Sequence, residues 1–124
     1  MIEILWVGLG GFLGANARYL LAGLAARRLG TYFPYGTFVI NITGSFILGF
    51  FLAFIELRPW VHPSARLLFA IGFVGAYTTF STFTYESMVL MERGELLLAG
   101  TYVIGSVTSG LIAVFAGMVL GRAI

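Results

Sequence analysis

"GFVGAYTTFSTFTYE", Gly72 to Glu86, decides how this chain folds. It sits inside a long apolar run, yet carries Gly72 and Gly75, five hydroxyl side chains within seven residues (Thr78, Thr79, Ser81, Thr82, Thr84), and a carboxylate. Glycine lowers helix propensity. Ser and Thr hydroxyls can bond backbone carbonyls and bend or interrupt a helix. The pattern therefore predicts a helix broken within this stretch. If the run crosses a bilayer, the N–H and C=O groups freed at the break cannot face lipid and must be buried in protein or line a polar cavity. Carbonyls at such a mid-membrane break are suited to a small hard cation, as at the unwound segments of transporters.

Composition places the run in a membrane. Of the 124 residues, 60% are hydrophobic and 10% charged, against about a quarter charged in soluble domains. Four segments offer the roughly 20 apolar residues needed to cross a hydrocarbon layer of about 30 Å. They are read as 4–26, 36–57, 66–91 and 96–120, forming one transmembrane domain over 1–124. The fold class is an all-α membrane protein of four transmembrane helices per subunit. The first run lacks the basic flank and small-residue cleavage site of a signal peptide. Connections are short, with Gly30 and Pro34, Pro59 and Pro63, and Gly94 as breakers. They leave no room for a conventional enzyme site outside the bilayer, so an enzyme is not expected. With no Cys and a single His62, thiolate chemistry, a Cys-based metal site and a catalytic triad are excluded. The net charge of +2 gives no footprint for nucleic acid.

All seven cations are Arg and all five anions Glu. With four spans, Arg58, Arg66 and Arg122 fall on one side, and Arg27, Arg28 and Arg93 on the other. Arg and Lys asymmetry in short loops sets membrane orientation, and three against three is none. The chain can insert both ways, which predicts a dual-topology, antiparallel homodimer. The pairs Gly10/Gly14 and Gly117/Gly121, and the face bearing Asn41, Gly44, Ser45, Leu48 and Gly49, suit close helix packing.

Phe80 and Phe83 lie three apart, so on a helix their rings share a face. Aromatic rings carry a positive edge, and edges turned toward a narrow path would meet an anion without trapping it. Thr79, Ser81 and Thr82, the Asn41 amide, and the Tyr102 and Ser106 hydroxyls of the fourth span would replace lost water. The set suits a small, strongly hydrated anion. Arg18 lies well inside the first span, where a charge costs roughly 2.5–3.5 kcal/mol, so it should face a vestibule or a partner. Glu86, one turn beyond Phe83, could pair with Arg18 or lie at an anion exit. Glu56 falls near the interface with no special role.

"GGFLGANARY" (10–19), "NITGSFILGF" (41–50) and above all "GFVGAYTTFSTFTYE" resemble the Fluc/CrcB family of bacterial fluoride channels, in span order and length over nearly the whole chain. The resemblance implies a multi-pass protein of the bacterial cytoplasmic (inner) membrane. It would be an antiparallel dual-topology dimer with two fluoride pathways and a structural sodium ion at the dimer centre. That sodium would be held by main-chain carbonyls matching Gly75 and Thr78. The family's two pore phenylalanines match Phe80 and Phe83, its second-span Asn matches Asn41, and its fourth-helix hydroxyls match Tyr102 and Ser106. One turn further on this chain has Gly110, with Ser109 beside it, where the family continues the track.

The rival reading is a small proton-coupled multidrug exporter, also four-helix and dual-topology. It needs a membrane-embedded carboxylate, usually in the first span. Here that span holds Asn16 and Arg18, with only Glu3 near its edge.

Overall fold

The computed structural model describes residues 1–124 and is helical, with no strand. α1 covers Ile2–Leu29 and α2 Tyr35–Glu56. The third crossing, Pro63–Glu92, is composite. A short α3 (Pro63–Ala65) runs into a π-helical stretch, Arg66–Val74, and then α4 (Gly75–Tyr77); α5 (Phe80–Glu92) follows after Thr78 and Thr79. α6 covers Leu96–Ala123. Four crossings are thus long and apolar enough to span a membrane. The protein is a multi-pass membrane protein.

The ends of these helices follow local chemistry. α1 stops at Gly30 and α5 is followed by Gly94, with φ of 80° and 78°, a region open to glycine because it has no Cβ. Arg27 and Arg28 occupy the last turn of α1, where cations meet the negative end of the helix dipole. Pro63 opens α3 after His62, whose Nδ1 accepts the Ser64 N–H at 3.2 Å.

The glycine pairs join helices of the same subunit. A Cβ on Gly10 or Gly14 would overlap the Leu68 or Phe73 carbonyl of the π-helical stretch, and one on Gly117 or Gly121 would overlap the Phe46 or Phe50 carbonyl of α2. Gly72 answers from the other side, its Cβ position lying 2.7 Å from the Val7 carbonyl. Without those side chains α1 sits directly on the third crossing, and α6 on α2. Close backbone approach is a main source of helix association in lipid, which offers little hydrophobic drive. Phe69, Phe73 and Tyr77 stack along the third crossing at 5.5 and 6.0 Å between centroids. Large apolar side chains elsewhere, such as Leu5, Phe12, Leu111 and Phe115, point outward, as suits a chain whose solvent on that side is hydrocarbon.

Candidate functional site

At Thr78 and Thr79 the backbone leaves helical geometry, with φ/ψ of −80°/159° and −151°/121°. In an uninterrupted helix the Thr79 N–H would donate to the Gly75 carbonyl. Instead it donates to Asn41 Oδ1 at 2.8 Å, and Asn41 Nδ2 donates to the Thr79 carbonyl at 3.0 Å. One side-chain amide from α2 replaces two backbone partners. The exchange matters because Thr79 is only 8% exposed, and a buried backbone group left unpaired costs about 1–3 kcal/mol. Gly44 makes room for it, since a Cβ there would overlap the Thr78 methyl. Thr79 then starts α5 as a cap: its Oγ1 accepts the Thr82 N–H at 3.3 Å and donates to Thr82 Oγ1 at 3.0 Å. Thr78 Oγ1 donates back to the Val74 carbonyl at 2.9 Å.

The carbonyls at the end of α4 lose their helical donors. Gly75 has lost its regular donor to Asn41, and the Thr78 carbonyl accepts no backbone hydrogen bond. Gly75 is exposed on the subunit surface and Thr78 half-buried. Main-chain oxygens are ligands suited to a hard cation.

Beside the break lies a groove of about 250 Å³ lined by Asn41, Gly44, Ser45, Thr78, Thr79, Phe80 and Phe83. The rings of Phe80 and Phe83 lie 6.1 Å apart and inclined at 50°. Their surroundings differ. Phe83 is buried edge-on to Tyr102, 5.1 Å between centroids, whereas Phe80 is 77% exposed. Asn41 Nδ2 carries a second N–H beyond the one bound to Thr79.

One turn along α2 from Asn41, and one turn along α5 from Phe83, the polar track continues at Glu86. Thr37 Oγ1 donates to Glu86 Oε1 at 2.8 Å and the Tyr102 hydroxyl to Oε2 at 2.7 Å. Tyr102 has no exposed surface. Thr37 and Glu86 also line a second cavity of about 350 Å³, which opens past Ala22, Ala26, Tyr32 and Arg93 under the α1–α2 connection. That connection is tied across the cavity by the Tyr32 hydroxyl, which donates to Glu95 Oε1 at 2.8 Å. The same bond, reinforced by the Glu95 charge, holds the Tyr32 phenol above its ordinary value of 10.0.

The candidates therefore divide. Asn41, Thr79, Thr82, Phe83, Glu86 and Tyr102 meet along one seam between α2, α5 and α6. Ser81 reaches it only through a 3.5 Å contact with Thr79 Oγ1. Ser106 is half-buried, with its Oγ enclosed and unpaired. Arg18 is half-buried on α1, one turn before Ala22 of the cavity wall, and forms no ion pair. It does not meet Glu86, whose oxygens are both occupied. Glu56, expected to have no special role, faces Arg122 at 3.6 Å. Thr37 was missed, although its spacing of four from Asn41 places it on the same helix face.

The chain has relatives among known proteins. The family model described as CrcB-like protein, Camphor Resistance (CrcB), matches residues 5–118. The chain belongs to the CrcB family. Among CrcB relatives, a protein of Acidobacterium capsulatum named fluoride-specific ion channel FluC is 46% identical over 99% of this chain and 98% of its own length. One of Chloroflexus aurantiacus with the same name is 47% identical over 98% and 97%. One of Koribacter versatilis, again so named, reaches 58% over 75% of this chain and 74% of its own. The CrcB relatives thus carry the name of a channel and not of an enzyme, and none of these matches points to a multidrug exporter.

Proposed function

We propose that the protein is a fluoride-selective channel that lets the ion leave a bacterial cell passively across the cytoplasmic membrane. The observation that carries this reading is near-full-length identity to proteins named fluoride-specific ion channels. The seam supports it chemically. Fluoride is small and strongly hydrated, so a path must supply hydrogen-bond donors in place of water without holding the ion too well. Asn41 has a spare N–H, the Ser106 hydroxyl is unpaired, and the Thr79, Ser81 and Thr82 hydroxyls can turn toward an anion, while the Tyr102 hydroxyl stands along the path on Glu86. Phe80 and Phe83 offer ring edges between these polar stations. Glu86, held by two hydroxyls, lies at one end of the path, and Arg18 draws anions toward its mouth. Transport then needs no covalent step.

The channel is read as an antiparallel, dual-topology homodimer with two pathways and a third helix broken at mid-membrane. The exposed face around Gly75, Thr78 and Phe80 supports this, because a ring 77% exposed lines no closed path in one subunit. The freed Gly75 and Thr78 carbonyls would hold a structural sodium ion there. When bound, it would offset the carbonyl dipoles and join the two breaks.

The test is efflux from liposomes containing the purified protein, loaded with fluoride or chloride, with valinomycin present and ion-selective electrodes as readout. Fast fluoride release with negligible chloride release is expected. No fluoride release from a folded dimer overturns the reading.

A further inference from the structure

A third cavity, of about 400 Å³, lies at the opposite end of α2 and α6 from Glu86, among residues the pathway does not use. Its walls are apolar, with Leu52 and Ala53 from α2 and Met118 from α6, and its rim carries Arg66, Arg122 and Glu56. Two cations face one anion. Glu56 pairs with Arg122 only loosely: the atoms stand 3.6 Å apart, beyond hydrogen-bonding distance, and both side chains are more than half exposed, so the rim keeps one positive charge in excess. The Arg66 side chain has no hydrogen bond or ion pair. The nearby Arg58 is not available in the same way, because it donates to the Phe54 carbonyl at 2.8 Å and lies 3.7 Å over the Phe54 ring.

An apolar slot under a rim with one unpaired and one loosely paired guanidinium fork matches the two parts of one molecule. The rim lies at the ends of membrane-spanning helices, at the depth of lipid headgroups, and Trp60 on the same connection is exposed, as residues of the interfacial aromatic belt are. Arg presents parallel N–H groups suited to phosphate oxygens, and basic pockets between transmembrane helices take acidic headgroups.

We propose that this cavity binds an anionic phospholipid, its phosphate on Arg66 and Arg122 and an acyl chain against Leu52, Ala53 and Met118. The site belongs to each subunit, stands apart from the fluoride pathway, and does not depend on how that pathway works.

Native mass spectrometry of the full-length protein, released from micelles holding phosphatidylglycerol or phosphatidylcholine, counts retained lipid directly. Wild type should retain phosphatidylglycerol in preference. Arg66→Gln and Arg122→Gln should each weaken retention by about fivefold, the equivalent of ~1 kcal/mol per interfacial Arg. Glu56→Gln, which removes the competing carboxylate, should strengthen it, and Arg28→Gln, at the other end of the bundle, should not change it. Leu52→Trp should lower retention with both arginines intact. Inorganic phosphate at millimolar concentration should not displace the lipid, and displacement would mean a simple phosphate site and overturn the proposal. Equal retention of the two lipids, or loss of the dimer in the Arg variants with lipid unchanged, would also overturn it, the latter marking this face as a subunit contact.

Discussion

Replacing Asn41 separates a clamp on the backbone from an ordinary polar residue of the second span. Asn41→Leu keeps the branching at Cγ but removes both the acceptor for the Thr79 N–H and the donor to its carbonyl. Thr79 is 8% exposed, so water does not readily replace them. With about 1–3 kcal/mol for each orphaned group, the loss should be roughly 2–6 kcal/mol. Asn41→Asp sharpens the argument. A protonated carboxyl has one donor and one acceptor, the pattern of the amide, whereas a carboxylate opposes the Thr79 carbonyl. The native state therefore favours the protonated form. Unfolding in mixed micelles from pH 3.5 to 8, together with amide exchange over residues 79–82, measures this. Asn41→Leu should be destabilised throughout and exchange faster at Thr79, while Asn41→Asp should approach wild type only at the acid end. A Leu variant within about 0.5 kcal/mol of wild type, the range of an ordinary surface substitution, with unchanged exchange, would refute the clamp.

Four further outcomes are expected. Phe80→Ile should slow fluoride efflux strongly yet leave the stability of the single subunit within about 0.5 kcal/mol, as at most surface positions; wild-type flux would reject the aromatic path. Ser106→Ala should lower flux while leaving stability equal or higher, because it deletes a buried hydroxyl with no partner, and a clear destabilisation in denaturant would contradict that. Gly10→Ala and Gly14→Ala should each cost about 1–3 kcal/mol through overpacking, whereas Gly11→Ala, which meets open space, should be neutral or stabilising, all read from the same unfolding curves. The Tyr32–Glu95 bond should add a small stabilisation present below pH 10.0 and lost as pH rises further, through the raised phenol value. Comparing melting of wild type and Tyr32→Phe at pH 8 and pH 11 shows it as a gap that closes.

The legible parts were those governed by one-dimensional chemistry. Four apolar runs of bilayer length imply four crossings, whatever packs against them, because an unpaired backbone cannot sit in hydrocarbon. The density of hydroxyls after Gly75 marked the stretch where helical bonding fails, for the same reason that Ser and Thr compete for backbone carbonyls anywhere. What repairs that failure was not legible. Sequence marks Asn41 as a donor to an ion and gives no sign that its amide also bonds both backbone groups of Thr79, a residue 38 positions away. Periodicity can place Asn41 and Gly44 on one face of α2 but cannot say that this face meets the break. The glycine pairs suggested assembly, and their spacing is indeed that of close approach. Only packing shows that their partners are carbonyls of the same subunit.

Glu86 makes the same division. Its position beyond Phe83 along α5 follows from helical spacing, and a carboxylate inside an apolar run needs partners. Arg18 was a natural candidate by charge. The structure instead gives it the Thr37 and Tyr102 hydroxyls, because α2 and α6 meet α5 at that level, while Arg18, half-buried on α1, forms no ion pair. Sequence by itself determined the solvent of this protein, the number of its crossings and where one of them must be interrupted, since each depends on hydrophobicity and backbone bonding summed along a single segment. Tertiary structure alone decided which side chains satisfy the interruption and which carbonyls remain open, since those depend on the approach of segments far apart in the chain.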